Sequence, residues 1–296
     1  MPERPESSTT GSEIPVQRMR PGDHAFVSYG DDEGRWDVLT AFTWLGLAGG
    51  ERVIVFADPG VPRDDVLARL GADSPELADA LGRGQLVLSS MRELIQPERN
   101  FTATRQQARL VEETDRAVGD GYRALRAYID MHWVPALGTD VSAMIDRETH
   151  ADHLFTDRPY SEICAYDRRW FDDAVLEAMR RAHPCNLLEY VGALHAEHTS
   201  GVVRFAGEAD LATRERFTAA VAVAMAAARG HALTVDLTHL HFLSAGCAGD
   251  LLRAAAAVSG PARVDIRCSP FQAGLLRNLG ARETVRLVLS ETGAGC

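Results

Sequence analysis

The chain has 296 residues, 46% apolar and 25% charged, the make-up of a soluble chain with material for two folded cores. Its formal net charge of −11 repels phosphate backbones and argues against general nucleic-acid binding, and no apolar run is long enough to cross a bilayer. Every basic side chain other than histidine is arginine, so a lysine Schiff base and the phosphate-holding lysine of a P-loop are both excluded.

Residues 1–17 are rich in Pro, Ser, Thr and Glu and show no signal-peptide pattern; they read as a disordered tail. From there strand and helix patterns alternate. Ala25 to Tyr29 is a short apolar strand, and the acidic turn Asp31-Asp32-Glu33-Gly34 suits a helix N-terminus. Arg35 to Ala48 carries Val38, Leu39, Phe42, Leu45 and Leu47 at helical spacing, and Gly49-Gly50 ends it. Arg52 to Phe56 reads as a strand that is apolar from Val53 onward, as expected of a parallel strand covered on both faces. Helices follow over Arg63–Leu70, Thr102–Val118, Asp140–Thr149 and Phe171–Ala182, and strands over Gln85–Leu88, Ala124–Ile129 and Glu162–Tyr166. His183-Pro184 stops the last of these helices. This alternation predicts a parallel sheet with right-handed crossovers. The pattern restarts after a boundary near Leu194 to Thr199. Strands are predicted at Val202–Ala206, Leu233–Leu237, Val264–Arg267 and Val285–Leu289, and helices at Ala212–Ala228, Cys247–Val258 and Phe271–Leu279. The five cysteines, Cys164, Cys185, Cys247, Cys268 and Cys296, are scattered and lack CxxC spacing, which fits reduced thiols in a cytoplasmic protein.

In the second half, the stretch from Val235 to Gly246 runs as a strand ending in Asp236-Leu237-Thr238, then apolar and aromatic residues, then a short loop opening a helix. With the Gly207-x-x-Asp210 turn upstream, it resembles the signature of STAS domains, the antagonists of anti-sigma factors. The resemblance covers about residues 200–290 and implies a small α/β domain that docks on an anti-sigma factor or kinase-like regulatory protein. The family's switch is a serine or threonine at that helix N-terminus, where free N–H groups and the helix dipole would hold a phosphate. Here Ala245 stands at the usual phosphoacceptor position and Ser244 where an aspartate is usual, so the regular phosphoswitch is expected to be lost. Ser244 is either a displaced acceptor or, more commonly for such a serine, an N-cap. Asp210, Asp236, Thr238, Ser244, Ala245 and Gly246 are the candidate partner or switch residues; Thr238 also reads as a turn residue.

In the first half, Asp23-His24-Ala25-Phe26-Val27-Ser28-Tyr29, Gly46-Leu47-Ala48-Gly49-Gly50-Glu51, Gly84-Gln85-Leu86, Met131-His132-Trp133, Cys164-Ala165-Tyr166-Asp167 and His183-Pro184 occur in an order that resembles the MEDS domain, a sensory domain named from methanogen and methylotroph regulators. The match covers about residues 18–188. It implies a RecA/KaiC-like layout and small-molecule or redox sensing. The loop that would be a Walker loop carries Arg35-Trp36 in place of Lys-Ser/Thr and three carboxylates before it, so no functional Walker loop is expected. Many relatives carry a cysteine two residues after the histidine matched by His24; here Phe26 occupies that place.

Placement at strand ends nominates His24, Tyr29, Arg35, Arg126, Asp130, Trp133, Cys164 and Tyr166 as ligand-binding, with Trp133 and Tyr166 as aromatic walls and Arg126 as an anion contact; packing in the core is the plain reading for each aromatic. His150/His153 and His195/His198 have i,i+3 spacing but no third ligand, and Glu148 with Asp146 reads as a solvated helix face. Together these features predict an α/β protein with a RecA/KaiC-like sensory domain (residues 18–190) and a STAS-type domain (198–292). It is expected to be a cytoplasmic, non-enzymatic signalling regulator without metal or cofactor, its oligomeric state left open. The alternatives are a degenerate RecA-like nucleotide-binding protein with little or no NTPase activity, and a ligand-free scaffold.

Overall fold

The computed structural model describes residues 12–97, 100–227, 232–257, 263–283 and 287–291. The chain forms two compact units. One comprises Met19–Glu189 with Ser12; the other comprises Glu13–Arg18 and the described residues from Tyr190 onward.

One sheet is built on strands β1 (Ser12–Ile14), β2 (His24–Tyr29), β3 (Arg52–Phe56), β4 (Leu86–Ser89), β5 (Leu125–Asp130), β6 (Tyr160–Asp167) and β7 (Cys185–Leu187), of which β2 to β7 belong to the first unit. They form a seven-stranded sheet in the order β1-β7-β2-β6-β5-β3-β4. The pairs from β7 through to β4 are all parallel. In β5 and β6 every residue is buried, because helices cover both faces. On one face lies α1 (Asp32–Ala48), capped by Asp31, whose side chain accepts from the Gly34 N–H. Gly46 lets α1 approach closely: a Cβ there would sit 2.7 Å from Val53 Cγ2 and 2.9 Å from Arg126 Cδ. On the other face, α5 (Ala103–Gly119), α7 (Val141–Thr149) and α9 (Asp173–Ala182) bury Leu110, Ala117, Met144, Leu176 and Met179 against Phe26, Ile129, Cys164 and Tyr166.

The second unit carries β8 (Leu194–Thr199), β9 (Val202–Ala209), β10 (Leu233–Leu243), β11 (Val264–Cys268) and β12 (Leu287–Glu291) in the order β12-β11-β10-β9-β8. The β8–β9 hairpin is antiparallel and the remaining pairs are parallel, so the sheet is mixed. Helices α10 (Arg214–Ala227), α11 (Ala245–Ala256) and α12 (Pro270–Asn278) close its core around Phe205, Phe217, Val235 and Leu251.

Several expectations change. Residues 12–17 are not a loose tail: Ser12–Ile14 is a strand, and Ile14 and Val16 are buried. Leu194–Thr199, read as a boundary, is strand β8, so the second unit begins before it. The strand read at Leu233–Leu237 runs on to Leu243 through two register shifts, which a simple period-2 pattern hides. The helix read from Cys247 starts at Ala245. Residues 1–11, the predicted helix ends at Ala228 and Val258, the start of the last strand at Val285, and Cys296 lie outside the described residues.

Candidate functional site

Side chains on a strand alternate between faces, so each parallel strand sends odd and even residues to opposite sides. The register pairs His24 with Glu162, Phe26 with Cys164 and Tyr29 with Asp167. Two separate polar clusters follow from this parity.

The first lies at the carboxyl ends of the strands, on the α1 side. The Tyr29 hydroxyl donates to Asp130 Oδ2 at 2.8 Å. Asp130 Oδ1 accepts from the His132 backbone N–H at 3.1 Å and lies 3.0 Å from His132 Nδ1. Arg35, from the first turn of α1, meets Asp58 at 3.3 Å and Asp32 at 3.2 Å, with Asp130 at 4.0 Å. Its guanidinium stands over the rings of Tyr29 and Trp36. His132 Nε2 faces Asp167 at 4.0 Å and finds no hydrogen-bond partner among the described residues; Trp170, largely exposed, sits edge-on to the ring. Burial opposes a charge on His132, but the hydrogen bond and charge of Asp130, with Asp58 and Asp167, raise its pKa above the usual histidine value. Burial and the Asp130 charge push the Tyr29 hydroxyl far up, so it remains a neutral donor. Asp58 also lines a cavity of about 240 Å³ at the ends of β3 and β4, with Pro59, Arg63, Leu88 and Ser89.

The second cluster is interior, near the amino ends of β2 and β6 on the α7 and α9 side. Arg147 donates to Glu148 Oε2 at 2.8 Å and lies 2.6 Å from Glu162 Oε1. His24 Nε2 is 3.2 Å from Glu148 Oε2 and 3.8 Å from Cys164 Sγ. His183 Nε2 is 3.4 Å from the same Glu148 oxygen. The Cys164 thiol donates to Glu162 Oε1 at 3.0 Å, and the Tyr160 hydroxyl donates to Glu162. None of these side chains is more than 2% exposed. Burial opposes a charge on Glu148, yet Arg147 and the histidines hold its carboxyl far below the usual range. Burial, then the neighbouring His24, presses His183 down to about 3, so its ring is neutral. Burial and the two carboxylates push the Cys164 thiol well up.

The eight nominated ligand residues therefore divide. Tyr29, Arg35 and Asp130 converge at the carboxyl ends. His24, Cys164 and Tyr166 belong to the interior cluster, where the Tyr166 hydroxyl is 3.4 Å from Glu148 Oε1. Arg126 joins neither: it is buried under α1, donating to Glu51 at 2.5 Å and stacked over Phe42, and so offers no anion contact. Trp133 is no pocket wall; it packs on Phe101 in the core, its Nε1 without a hydrogen-bond partner among the described residues. Glu148, read as part of a solvated face, is buried, because α7 turns it toward β6. His150 and His153 are exposed, and His195 and His198 lie on strand β8, not on a helix. Asp58, Arg147, Glu162, Asp167 and His183 went unnominated, whereas His132 was read at its strand end beside Asp130. Glu162 carried a readable signal: a carboxylate inside a buried strand demands a partner.

In the second unit Ser244 caps α11, accepting from the Cys247 N–H at 3.2 Å. Ala245 and Gly246 are exposed at that helix start. Asp236 Oδ1 accepts from the Thr238 N–H and hydroxyl at the first register shift inside β10, so Thr238 is a strand residue rather than a turn residue, and Asp210 Oδ1 accepts from the Thr213 N–H. Leu211, Phe242 and Phe271, large apolar residues next to the ends of β9, β10 and β11, are exposed at 84%, 48% and 81%.

No helix among the described residues is long and apolar enough to cross a membrane. A comparison with curated proteins finds no match. A family model described as the MEDS (methanogen/methylotroph, DcmR sensory) domain matches residues 23–184, more than half of the chain and the whole region that holds both polar clusters. The chain belongs to the MEDS sensory-domain family.

Proposed function

We propose that this chain is a cytoplasmic, non-enzymatic signalling regulator whose sensory unit binds a small polar cue at the carboxyl ends of its strands and whose second unit docks on an anti-sigma factor or kinase-like regulatory protein. The observation that carries the sensory half is the convergence of Tyr29, Arg35, Asp130 and His132 beside the cavity that Asp58 lines. Ligands of open parallel sheets bind at that edge. A nucleotide triphosphate fits it poorly, since Asp32, Asp58, Asp130 and Asp167 surround Arg35 and His132 with negative charge.

The docking half rests on the resemblance of residues 200–290 to STAS domains and on Leu211, Phe242 and Phe271, which offer apolar surface beside the start of α11. With alanine at the usual phosphoacceptor position and Ser244 engaged as a cap, docking is governed by the cue rather than by a phosphorylation cycle. The cue acts by favouring the docking-competent state, a coupling free energy between two sites.

The test is affinity capture from source-cell lysate with the full chain and with a Phe242→Asp/Phe271→Asp variant. Recovery of a kinase-like anti-sigma regulator by the unsubstituted chain, and its loss with the variant, is the expected result. Equal recovery by both, or no such regulator on either, overturns the docking reading, and stoichiometric phosphorylation of Ser244 overturns the unswitched form of it.

A further inference from the structure

We infer that the interior cluster of the sensory unit is a zinc-class divalent metal site, with His24, Glu148, Cys164 and His183 as its four ligands. One donor atom of each of the four lies within 4.8 Å of the others.

The first argument is spacing. Zinc bonds to nitrogen and oxygen are about 2.0–2.2 Å and to sulfur about 2.3 Å, which sets tetrahedron edges of about 3.3 Å between N and O donors and about 3.6 Å to sulfur. His24 Nε2 and His183 Nε2 lie 3.2 and 3.4 Å from Glu148 Oε2. Cys164 Sγ lies 3.8 Å from His24 Nε2 and 3.9 Å from the same Glu148 Oε2. These four of the six donor pairs sit within a few tenths of an ångström of a tetrahedron edge, and the other two lie within 4.8 Å.

The second argument is an acceptor facing an anion. The His183 Nδ1–H donates to the Met179 carbonyl at 2.7 Å, which fixes the tautomer and leaves a lone pair on Nε2. That Nε2 is buried without a hydrogen-bond partner among the described residues, and it points at the Glu148 carboxylate. Two lone pairs facing each other in a dry interior repel, whereas a cation between them turns the contact into coordination. The backbone carbonyl that orients His183 is the usual outer partner of a metal-ligating histidine.

The third argument is charge. A divalent ion with a Cys164 thiolate and the Glu148 carboxylate is neutral, and Arg147 with Glu162 is a second neutral pair beside it. On binding, the Cys164 S–H bond breaks, its proton leaves to solvent, and the sulfur electron pair forms the bond to the metal; nothing is oxidised or reduced. A shell of Cys, two His and one carboxylate suits zinc or cobalt and leaves no position for a substrate, so the site holds structure together rather than performing catalysis.

The test uses the full chain produced in zinc- or cobalt-supplemented medium and freed of loose metal by buffer exchange. Elemental analysis is expected to give close to one metal per chain. The cobalt form is expected to show a sulfur-to-cobalt charge-transfer band with tetrahedral d–d bands. Cys164→Ser removes the band, and His183→Gln lowers metal content by about tenfold or more. Cys185→Ala and His150→Gln/His153→Gln retain both. Should Cys164→Ser fold poorly, the band on the unsubstituted chain and its survival in Cys185→Ala still decide. A folded unsubstituted chain that emerges metal-free from both media, or metal retained equally by His183→Gln with no sulfur-to-cobalt band, overturns the assignment.

Discussion

His24 and Tyr29 stand at the two ends of one short strand, yet they belong to clusters built on opposite principles. At the amino end, Arg147, Glu148, Glu162, Cys164 and both histidines are sealed from water, and every charge is met by another charge. At the carboxyl end, Asp32, Asp58 and Arg169 reach solvent, while Asp130 and His132 sit just beneath them. The same pair of strands, β2 and β6, supports both. The lesson is that burial decides what a carboxylate is for. Sealed, it demands a fixed cationic partner and rigidifies the core. Half-open, it keeps exchangeable partners that a ligand can replace.

The largest expected effect comes from breaking the sealed cluster. Arg147→Met strips Glu148 and Glu162 of their shared guanidinium in a sealed interior, and urea unfolding is expected to show a loss of about 3–5 kcal/mol. A loss under about 1 kcal/mol, of the size surface ion pairs give, would erase the contrast. Next is Asp130→Asn at the open cluster. It weakens the acceptor shared by the Tyr29 hydroxyl and His132, and about 1–3 kcal/mol of stability is expected to go. In the same variant the His132 pKa, followed by NMR, falls back toward the ordinary histidine value; an unmoved pKa would show that Asp130 does not hold the proton there.

The smallest effect is a pH slope. Because His132 has a folded pKa above its unfolded value, its contribution to stability is complete below about pH 6.5 and is lost as pH rises through the folded pKa. His132→Gln is expected to lower stability on the acid side, where that contribution is complete, and so to flatten the decline as pH rises through the folded pKa. A variant that keeps the full alkaline decline assigns the slope to another group.

Much of the framework was legible. Arg52–Phe56 and Arg63–Leu70 fall where apolar runs and helical spacing put them, because a covered parallel strand and an amphipathic helix each write their burial into the sequence. The short elements Trp133–Ala136, Asp152–Phe155 and Cys185–Leu187 escaped, since segments of three or four residues hold too few turns or alternations to show a period. The three-residue strand Ser12–Ile14 escaped for the same reason.

The candidate site divides along the same line. By itself the sequence determined that chemistry-bearing residues gather at strand ends, that no P-loop lysine exists, and that Ser244 stands where a helix begins. Only the tertiary structure decided their company. Parity sends His24, Cys164 and Tyr166 to one face and Tyr29, Arg126 and Asp130 to the other, and register then pairs His24 with Glu162. The rotation of α7 brings Glu148 inward and the end of α9 delivers His183, neither of which local sequence marks. The physical reason is range: spacing along the chain reports which face a residue shares with its own neighbours, whereas a site is made by faces of different elements meeting, and that is fixed by packing across the sheet.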